Sequence, residues 1–598
     1  MKIHVETAGT LPSLIKVYEK YKITDLTLTG NLVSRDILYI REMAGRNVNG
    51  NETAGNLSVL DLSNINIRNS FFYYYIDDRE KKLYMGNKNK YYTLDDTIGF
   101  CFFCGCTSLE SIILPDSIIF IDDSAFKGCT GLESITIPDR VTKIGQAAFS
   151  GCTELTFITI GDSVTSIGEW AFEGCIGLTF IDIPDSVTYI GGSAFEGCTG
   201  LQEIIVAPDN ENYLSLDSVL FNKDKTILIH YPQAKRATSY AIPNNVTSIE
   251  CAFCGNTRLR SVIIPNSVTY IGYGAFSGCT GLTFIDIPDS VTYIGGSAFE
   301  GCTGLQEIIV ASENKNYSSL DGVLFNKDKT ILICYPSAKE SISYIIPNSI
   351  TKIEEGAFYN CVGLRIITIP SRVTYIGYGA FSGCSSLTSI DIPKNVTEIR
   401  RDAFWGCASL KSITIPDSVT LIDSYAFRDC IGLKEFIVAS DNEKYSSLDG
   451  VLFNKDKTVL MYFPTAKAGS YTIPNSVTEI GGNAFSGCTG LKSVTIPNRT
   501  TIIERAAFDG CMSLSSVTIP NEYKWIEWQW AFNNCVNLTS VIIRGRTVKI
   551  EKIIKDYWDN QPPKDCYYND KGFYSQSELD EMYKEAFNGD PDAEWNID

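Results

Sequence analysis

The residues of this sequence that could carry chemistry are its cysteines and its two histidines. The chain has 598 residues, of which 20 are cysteine and two are histidine. Two groups of cysteines have close spacing, Cys101-x-x-Cys104-x-Cys106 and Cys251-x-x-Cys254. Thiolates at such spacing bind zinc tetrahedrally. Each group could therefore supply half of a zinc site, provided that the fold brings the two groups together.

The histidines are the side chains best suited to acid–base catalysis near neutral pH. His4 and His230 are the two candidates. His230 lies in a segment that occurs three times, and the equivalent positions of the other copies hold Cys334 and Tyr462. A catalytic base is not expected to vary among copies in this way. The sequence therefore predicts a protein without enzymatic activity or a cofactor.

The elements that must position these residues are copies of one repeat. Residues 132–152 read LESITIPDRVTKIGQAAFSGC, and this text returns along most of the chain. The Phe of its Ala-Phe pair marks each copy, with 23 residues per step over the first five copies. A fixed period between about 20 and 50 residues is typical of a solenoid. Fifteen coils are marked, by Phe103, Phe126, Phe149, Phe172, Phe195, Phe253, Phe276, Phe299, Phe358, Phe381, Phe404, Phe427, Phe485, Phe508 and Phe532.

Residue types within one unit explain why it should coil. Ile135–Ile137 is rich in β-branched side chains and favours a short strand, which Pro138 ends. Val141 and Ile144 predict a second short extended piece, and Phe149 fills the back of the coil. One coil cannot bury these side chains alone, whereas a stack of coils buries all of them. We therefore expect a mainly β leucine-rich-repeat solenoid with short helical turns and parallel strands about 4.8 Å apart.

Most of the cysteines belong to the repeat itself. A buried Cys behaves as a small hydrophobe with a weak S–H donor, which suits a tight turn between coils. We expect free, buried thiols rather than disulfides at these fourteen positions: Cys106, Cys129, Cys152, Cys175, Cys198, Cys279, Cys302, Cys361, Cys384, Cys407, Cys430, Cys488, Cys511 and Cys535.

The two close-spaced groups fall at the same place relative to Phe103 and Phe253. Five coils, or about 24 Å at the spacing of strands, would separate them. They are then too far apart to share an ion, and variation within the repeat explains both groups. The sequence accordingly predicts no metal site.

Three insertions interrupt the period, at about residues 207–243, 311–347 and 439–473. Each contains a text close to LDGVLFNKDKTIL, in which a polar Asn-Lys-Asp-Lys stretch separates two strand-like apolar runs. This pattern predicts a β-hairpin in each insertion. The Phe markers that flank an insertion are 58 or 59 residues apart, which corresponds to one repeat plus about 35 residues.

Residues 1–100 are predicted to form an N-terminal cap. Ile23–Leu28 and Leu57–Ile67 have leucine-rich spacing and favour strands. Between them, Ser34–Gly45 has apolar residues at helical intervals, with Ser34 as a possible N-cap. Phe71–Tyr92 predicts a hairpin or loop.

The repeat region extends over about residues 101–548, and residues 549–598 are expected to form a C-terminal cap or tail. Ser575–Asp590 begins with a capping-box signature and predicts a short helix. Trp525, Trp528 and Trp530 crowd the last coil, which is typical of a sealed end.

The Ala-Phe-x-x-Cys coils, the I-P-x-S-V-T-x-I-G text and the LDGVLFNKDKT hairpins resemble the BspA-like leucine-rich repeat family over about residues 100–548. The resemblance implies a secreted or surface-attached adhesin that binds host or bacterial proteins, and we expect a monomer. It transfers no residue-level site. The N-terminus lacks the uninterrupted apolar segment of a secretory signal. The chain is then either cytoplasmic or a mature form whose signal has been removed.

Charge argues against binding to nucleic acid and to anionic membranes, and hydropathy argues against a membrane-spanning helix. The formal net charge is −19, which disfavours binding to nucleic acid and to anionic membrane surfaces. The sequence has no apolar run near the ~20 residues that a transmembrane helix needs.

Strand alternation predicts a candidate binding face on the first strand of the coils. An outward Phe beside an Asp is unusual for a face that is merely solvated. The outward positions are Phe157, Thr159, Phe180, Asp182, Phe284, Asp286, Ile366, Thr368, Asp391 and Glu435. These side chains would either bind a partner or stack across strands and stabilise the sheet. Two functions follow, a protein-binding scaffold or a structural spacer whose terminal segments bind.

Overall fold

The computed structural model describes residues 1–70, 73–77, 89–423, 425–519, 531–543, 546–549, 567–569 and 572–574. The chain is mostly β and forms a β-solenoid of about 22 turns, which confirms the predicted fold class. It divides into two compact units, Met1–Leu387 and Thr388–Asp598. Among the described residues, none of the helices has the length and apolarity required to cross a membrane.

The first unit begins with a parallel strand–helix–strand arrangement. Its strands are Lys2–Val5, Asp25–Leu32 and Val59–Ile67, and they pair in parallel. The helices are Leu11–Leu14, Val17–Lys20 and Ser34–Met43, followed by the antiparallel strands Tyr73–Asp77 and Asn89–Tyr92.

The prediction of Ser34 as the N-cap is wrong. Val33 is the N-cap, and its backbone N–H donates to the Asp36 carboxylate at 3.0 Å. Ser34 is buried, and its Oγ accepts a hydrogen bond from the backbone N–H of Thr93 at 2.9 Å. The Ser34 hydroxyl therefore joins the helix to the chain that follows the hairpin.

The first ladder of the solenoid consists of the strand that follows the Leu of each coil. Neighbouring strands pair in parallel with a register of one repeat, as in Ile158 with Ile135, and the insertions interrupt this pairing. In the first unit these strands are Ser111–Ile113, Ser134–Thr136, Phe157–Thr159, Phe180–Ile183, Glu203–Val206, Ser239–Ala241, Ser261–Ile263, Phe284–Ile287, Glu307–Val310, Ser343–Ile345 and Ile366–Thr368. In the second unit they are Ser389–Ile390, Ser412–Ile415, Glu435–Val438, Gly469–Thr472, Leu491–Thr495, Ser516–Ile519 and Ser540–Ile543.

The second ladder consists of two-residue strands that end in the buried Ile of each coil. Ile144 pairs in parallel with Ile121 and with Ile167. In the first unit the strands are Thr97–Ile98, Phe120–Ile121, Lys143–Ile144, Ser166–Ile167, Tyr189–Ile190, Ser248–Ile249, Tyr270–Ile271, Tyr293–Ile294, Lys352–Ile353 and Tyr375–Ile376. In the second unit they are Glu398–Ile399, Leu421–Ile422, Glu479–Ile480 and Ile502–Ile503.

The core between the ladders contains stacks of phenylalanine rings, which are interrupted at the insertions. Phe126 and Phe149 have centroids 5.1 Å apart and planes within 3° of parallel. Phe172 and Phe195 repeat this arrangement at 5.8 Å. All fourteen repeat cysteines are buried, as predicted. The marker Phe and the repeat Cys occupy two fixed positions of the repeat. Their side chains therefore form two columns inside the solenoid, one of rings and one of thiols.

Each insertion contributes three antiparallel strands, and the last of them joins the second ladder. In the first copy, Ile227 at the start of that last strand pairs in parallel with Ser248. The strands are Tyr213–Leu216, Val219–Asn222 and Ile227–His230 in the first copy, Tyr317–Leu320, Val323–Asn326 and Ile331–Cys334 in the second, and Tyr445–Leu448, Val451–Asn454 and Val459–Tyr462 in the third.

The insertions therefore contain whole coils. The backbone N–H of Tyr231 donates to the Ala252 carbonyl, as that of Phe126 does to Ala148. The Tyr231 ring stacks at 5.4 Å from Phe253. Tyr335 and Phe463 hold the same place in the other copies. Counting the marker Phe residues gives fifteen coils, below the observed number of turns, because the inserted coils and those of the N-terminal cap depart from the marker text.

At the C-terminal end, Arg546–Lys549 pairs antiparallel with Ser540–Ile543, and Tyr567–Asn569 pairs with Gly572–Tyr574. The helix predicted at Ser575–Asp590 and the cluster of Trp525, Trp528 and Trp530 lie outside the described residues.

Candidate binding face

Alternation along the first ladder sends every second side chain out of the solenoid. Ile158 and Ile285 are buried, whereas Phe157 and Phe284 keep 40% and 43% of their surface exposed. Phe180 is half-buried. The outward orientation that the sequence predicted is therefore present at all three rings.

The polar members of the candidate set lie on the same face. Asp182 and Asp286 are exposed, and their partners on the next strand are Ile205 and Ile309. The remaining predicted residues are also exposed, namely Thr159, Ile366, Thr368, Asp391 and Glu435. The first unit therefore contains two Phe–Asp groups, each an outward Phe beside an outward Asp: Phe180 with Asp182, and Phe284 with Asp286.

The two groups differ in how their rings are packed. Phe157 and Phe180 contact each other, with centroids 5.5 Å apart and planes at 52°. Phe284 pairs with Glu307, and within the described residues no aromatic ring lies against it. The contact between Phe157 and Phe180 therefore stabilises neighbouring strands, whereas the Phe284 ring has no comparable aromatic contact among the described residues.

An inserted hairpin borders the face after each Phe–Asp group. In the second copy, the backbone N–H of Ile308 donates to the Gly322 carbonyl at 2.9 Å. Gly322 has a φ of +75°, and a Cβ there would lie 3.0 Å from Cγ of Glu307. The hairpin turn therefore lies close to Glu307. Its Gly322 carbonyl accepts the hydrogen bond from Ile308 that a further strand of the ladder would otherwise accept.

Sequence reasoning missed several exposed apolar residues. Ile205, Ile263, Ile309, Ile345 and Ile437 are outward-facing on the first ladder. The same alternation rule predicts them, because every second residue of a segment such as Glu-Ile-Ile-Val faces outward. The second ladder also exposes aromatic side chains, and Tyr270 stacks on Tyr293 with centroids 4.9 Å apart. Apolar exposure is therefore distributed over two faces.

His230 has the environment of a core residue. It is buried against Phe195, with ring centroids 5.6 Å apart, and its Nε2 has no hydrogen-bond partner among the described residues. Burial lowers the pKa of His230 to about 4, so the ring is neutral at neutral pH. His4 contacts the hydroxyl of Thr29 at 2.8 Å through Nδ1.

The ladders, the stacked Phe column and the outward face together define a leucine-rich-repeat solenoid protein. The chain belongs to the BspA-type leucine-rich repeat family. The family model described as "BspA type Leucine rich repeat region (6 copies)" matches residues 96–227, 231–343, 333–455 and 461–557. Members of this family are surface proteins, and leucine-rich repeat proteins are generally non-enzymatic binding scaffolds.

Several solved structures are similar to this chain. A leucine-rich repeat protein from Eubacterium ventriosum is 26% identical over 57% of this chain and 87% of its own, with a TM-score of 0.35. A leucine rich cell surface protein from Faecalibacterium prausnitzii is 32% identical over 59% and 86%, with a TM-score of 0.33. The pneumococcal vaccine antigen PcpA is 22% identical over 68% and 80%, with a TM-score of 0.31. No curated protein matches the chain.

Proposed function

We propose that this protein is a non-enzymatic, secreted or cell-surface scaffold that binds a host or bacterial protein through the outward face of its first ladder. The observation that supports this most directly is the repeated pairing of an outward Phe with an outward Asp, at Phe180 with Asp182 and at Phe284 with Asp286.

The energetic argument concerns Phe284. Its ring is 43% exposed, and its partner on the next strand is the charged residue Glu307. Burying a large apolar side chain is worth about 1.5–3 kcal/mol. Aromatic residues dominate binding hot spots, and exposed apolar patches rimmed by polar residues mark interaction sites. A partner that covers this ring would therefore bind more tightly, because binding would remove the ring from water.

The charge of the face selects the partner. Asp182, Glu203, Asp286 and Glu307 are all exposed carboxylates beside apolar side chains. The net charge of the whole chain is also strongly negative. Complementary potentials raise association rates and exclude partners of the same sign. The surface thus fits a protein partner that presents an apolar pocket rimmed by Lys or Arg.

The Phe–Asp group occurs twice because a block of the sequence is duplicated. Residues 178–207 and 282–311 are identical, and three strands of the first ladder lie between Phe180–Ile183 and Phe284–Ile287. Two similar sites on one chain would bind a multivalent partner with greater avidity than either site alone. Repetition is an advantage for adhesion, whereas it would serve no purpose in a single catalytic site.

The alternative function is a structural spacer whose terminal segments bind. The contact between Phe157 and Phe180 favours it, because part of the exposed aromatic surface already has a structural partner. Immobilised full-length protein, the double variant Phe180→Ala/Phe284→Ala and a chain lacking residues 549–598 would be compared for capture of proteins from host mucosal extract. Loss of the same captured protein in the double variant alone supports the ladder face. Loss in the truncated chain alone supports the spacer.

A further inference from the structure

Three potential metal ligands converge in the first unit. Oε1 of Glu196 accepts a hydrogen bond from the thiol of Cys254 at 3.2 Å. The Glu196 carboxylate oxygen and the Sγ atoms of Cys251 and Cys254 all lie within 4.8 Å of one another. Among the described residues no other group of three His, Cys, Asp or Glu side chains meets this condition. We propose that Glu196, Cys251 and Cys254 bind one divalent transition-metal ion of the zinc class.

The inserted coil explains why residues so distant in sequence meet. Glu196 follows Phe195, and Cys254 follows Phe253, so the two occupy equivalent positions of their coils. The coil between them has Pro232 at this position. No long side chain therefore separates the Glu196 carboxylate from the Cys254 thiol.

The donor set determines the class of metal. Two thiolates and one carboxylate suit zinc and similar borderline ions, whereas calcium and magnesium prefer oxygen ligands alone. Ligand atoms bonded to one tetrahedral zinc lie about 3.5–3.8 Å apart. The contact between Glu196 and Cys254 is already close to this separation, so a small adjustment of side chains would complete three coordination positions. A water molecule would take the fourth.

The Cys251 thiol contacts neighbouring polar groups. Its Sγ lies 3.6 Å from the Gly274 carbonyl, and the Ser193 hydroxyl also contacts it. Glu196 and Cys251 are half-buried, and Cys254 is 9% exposed. The ligands are therefore shielded from bulk water while an ion can still reach them.

The same chain contains two natural controls. Glu300 is the equivalent of Glu196 in the duplicated block, and Gly356 and Tyr359 stand where Cys251 and Cys254 do. A Cβ on Gly356 would lie 3.4 Å from Oε2 of Glu300, so this copy brings the same positions together. The third copy has Arg428, Asn483 and Ser486 at these positions. The coil geometry thus occurs three times, and the ligands occur once.

Cobalt(II) is a suitable probe, because its tetrahedral thiolate complexes absorb visible and near-ultraviolet light whereas zinc complexes are colourless. Full-length protein, reduced with a non-chelating phosphine and freed of metal, would be titrated with Co²⁺ and then with Zn²⁺. We expect a thiolate-to-cobalt charge-transfer band that saturates at one ion per chain and disappears on addition of zinc. The double variant Cys251→Ser/Cys254→Ser should lose the band, and Glu196→Gln should weaken binding about tenfold or more.

Matched controls are Glu300→Gln and Cys104→Ser, which should leave both the stoichiometry and the affinity unchanged. Glu196→Gln removes one charge and no volume, so it tests the site even if the double cysteine variant fails to fold. The proposal is overturned if folded, reduced protein shows no thiolate-to-cobalt band. A band that persists in the double variant, or an affinity unaffected by Glu196→Gln, overturns it equally.

Discussion

The thiol of Cys129 donates a hydrogen bond to the backbone carbonyl of Phe103, 3.1 Å away in the preceding coil. The same carbonyl accepts a bond from the backbone N–H of Cys106 at 2.9 Å. Equivalent thiol–carbonyl contacts recur along the solenoid, for example from Cys152 to Phe126 and from Cys430 to Phe404. The repeat cysteine is therefore a small donor that joins each coil to the coil before it.

Burial of these thiols predicts a loss of stability in alkaline solution. It raises the pKa of both Cys175 and Cys430 to about 12, against about 9 for an exposed thiol. Below pH 9 both the folded and the unfolded thiols are protonated, and stability does not depend on these groups. Between pH 9 and 12 the unfolded chain loses protons that the folded chain keeps. The free energy of unfolding should then fall with rising pH, by up to about 1.4 kcal/mol per pH unit for each thiol.

Urea denaturation at a series of pH values measures this slope. Cys175→Ala should reduce the slope by the share of one thiol. Its loss of the contact to Phe149 should also lower stability at pH 7 by about 1 kcal/mol. A slope that is unchanged in the variant would show that another group titrates in this range.

His230 predicts the opposite dependence in acid. Burial lowers its folded pKa to about 4, whereas the unfolded value is about 6.5. The unfolded chain therefore takes up a proton as pH falls from 6.5 to 4, and the folded chain does not. His230 should reduce the stability of the fold across this window by about 3 kcal/mol.

His230→Cys is the matched variant, because the second copy of the segment has Cys334 at this place. Urea denaturation between pH 4 and 7 should show a smaller loss of stability on acidification than in the unmodified protein. An acid profile that His230→Cys does not alter would contradict the burial of a neutral ring.

The sequence was sufficient to predict the features that depend on local period. The 23-residue step, the strand alternation around Phe157 and the burial of the repeat cysteines all follow from side chains within one coil. The coil around Tyr231 was missed because it has Tyr after His rather than Phe after Ala, and its length differs from the period.

The cluster of Glu196, Cys251 and Cys254 could not be predicted for a related reason. Glu196 is more than 50 residues from Cys251 and Cys254, and its meeting with them depends on the number of coils between them. The residue type of Ser34 predicts a helix cap, whereas the tertiary contact with Thr93 decides its role.

Phe284 and Phe180 should respond differently to truncation. Phe284→Ala should weaken partner binding by more than about 1 kcal/mol and leave the melting temperature nearly unchanged. Phe180→Ala also removes the contact with Phe157, and should lower stability by about 0.2–1 kcal/mol.

Phe120→Ala is the control, because Phe120 has nearly the same exposure as Phe284 and lies on the second ladder. Both the melting temperature and the dissociation constant would be measured for each variant. A loss of stability without a loss of affinity in Phe284→Ala would exclude the first-ladder face as the binding face.

The last prediction tests whether each insertion contains a complete coil with its own ring in the aromatic column. Tyr231 is fully buried between its neighbours, and its hydroxyl has no hydrogen-bond partner among the described residues. The third copy has Phe463 in the equivalent place. Tyr231→Phe should therefore keep the stacking on Phe253 and remove an unsatisfied polar group, which leaves the free energy of unfolding unchanged or raises it by about 1 kcal/mol. Tyr231→Ala should instead open a cavity in the column and cost about 3–5 kcal/mol. Equilibrium unfolding in urea separates these outcomes. A Tyr231→Phe variant that is as unstable as Tyr231→Ala would mean that the hydroxyl, rather than the ring, holds this coil in the solenoid.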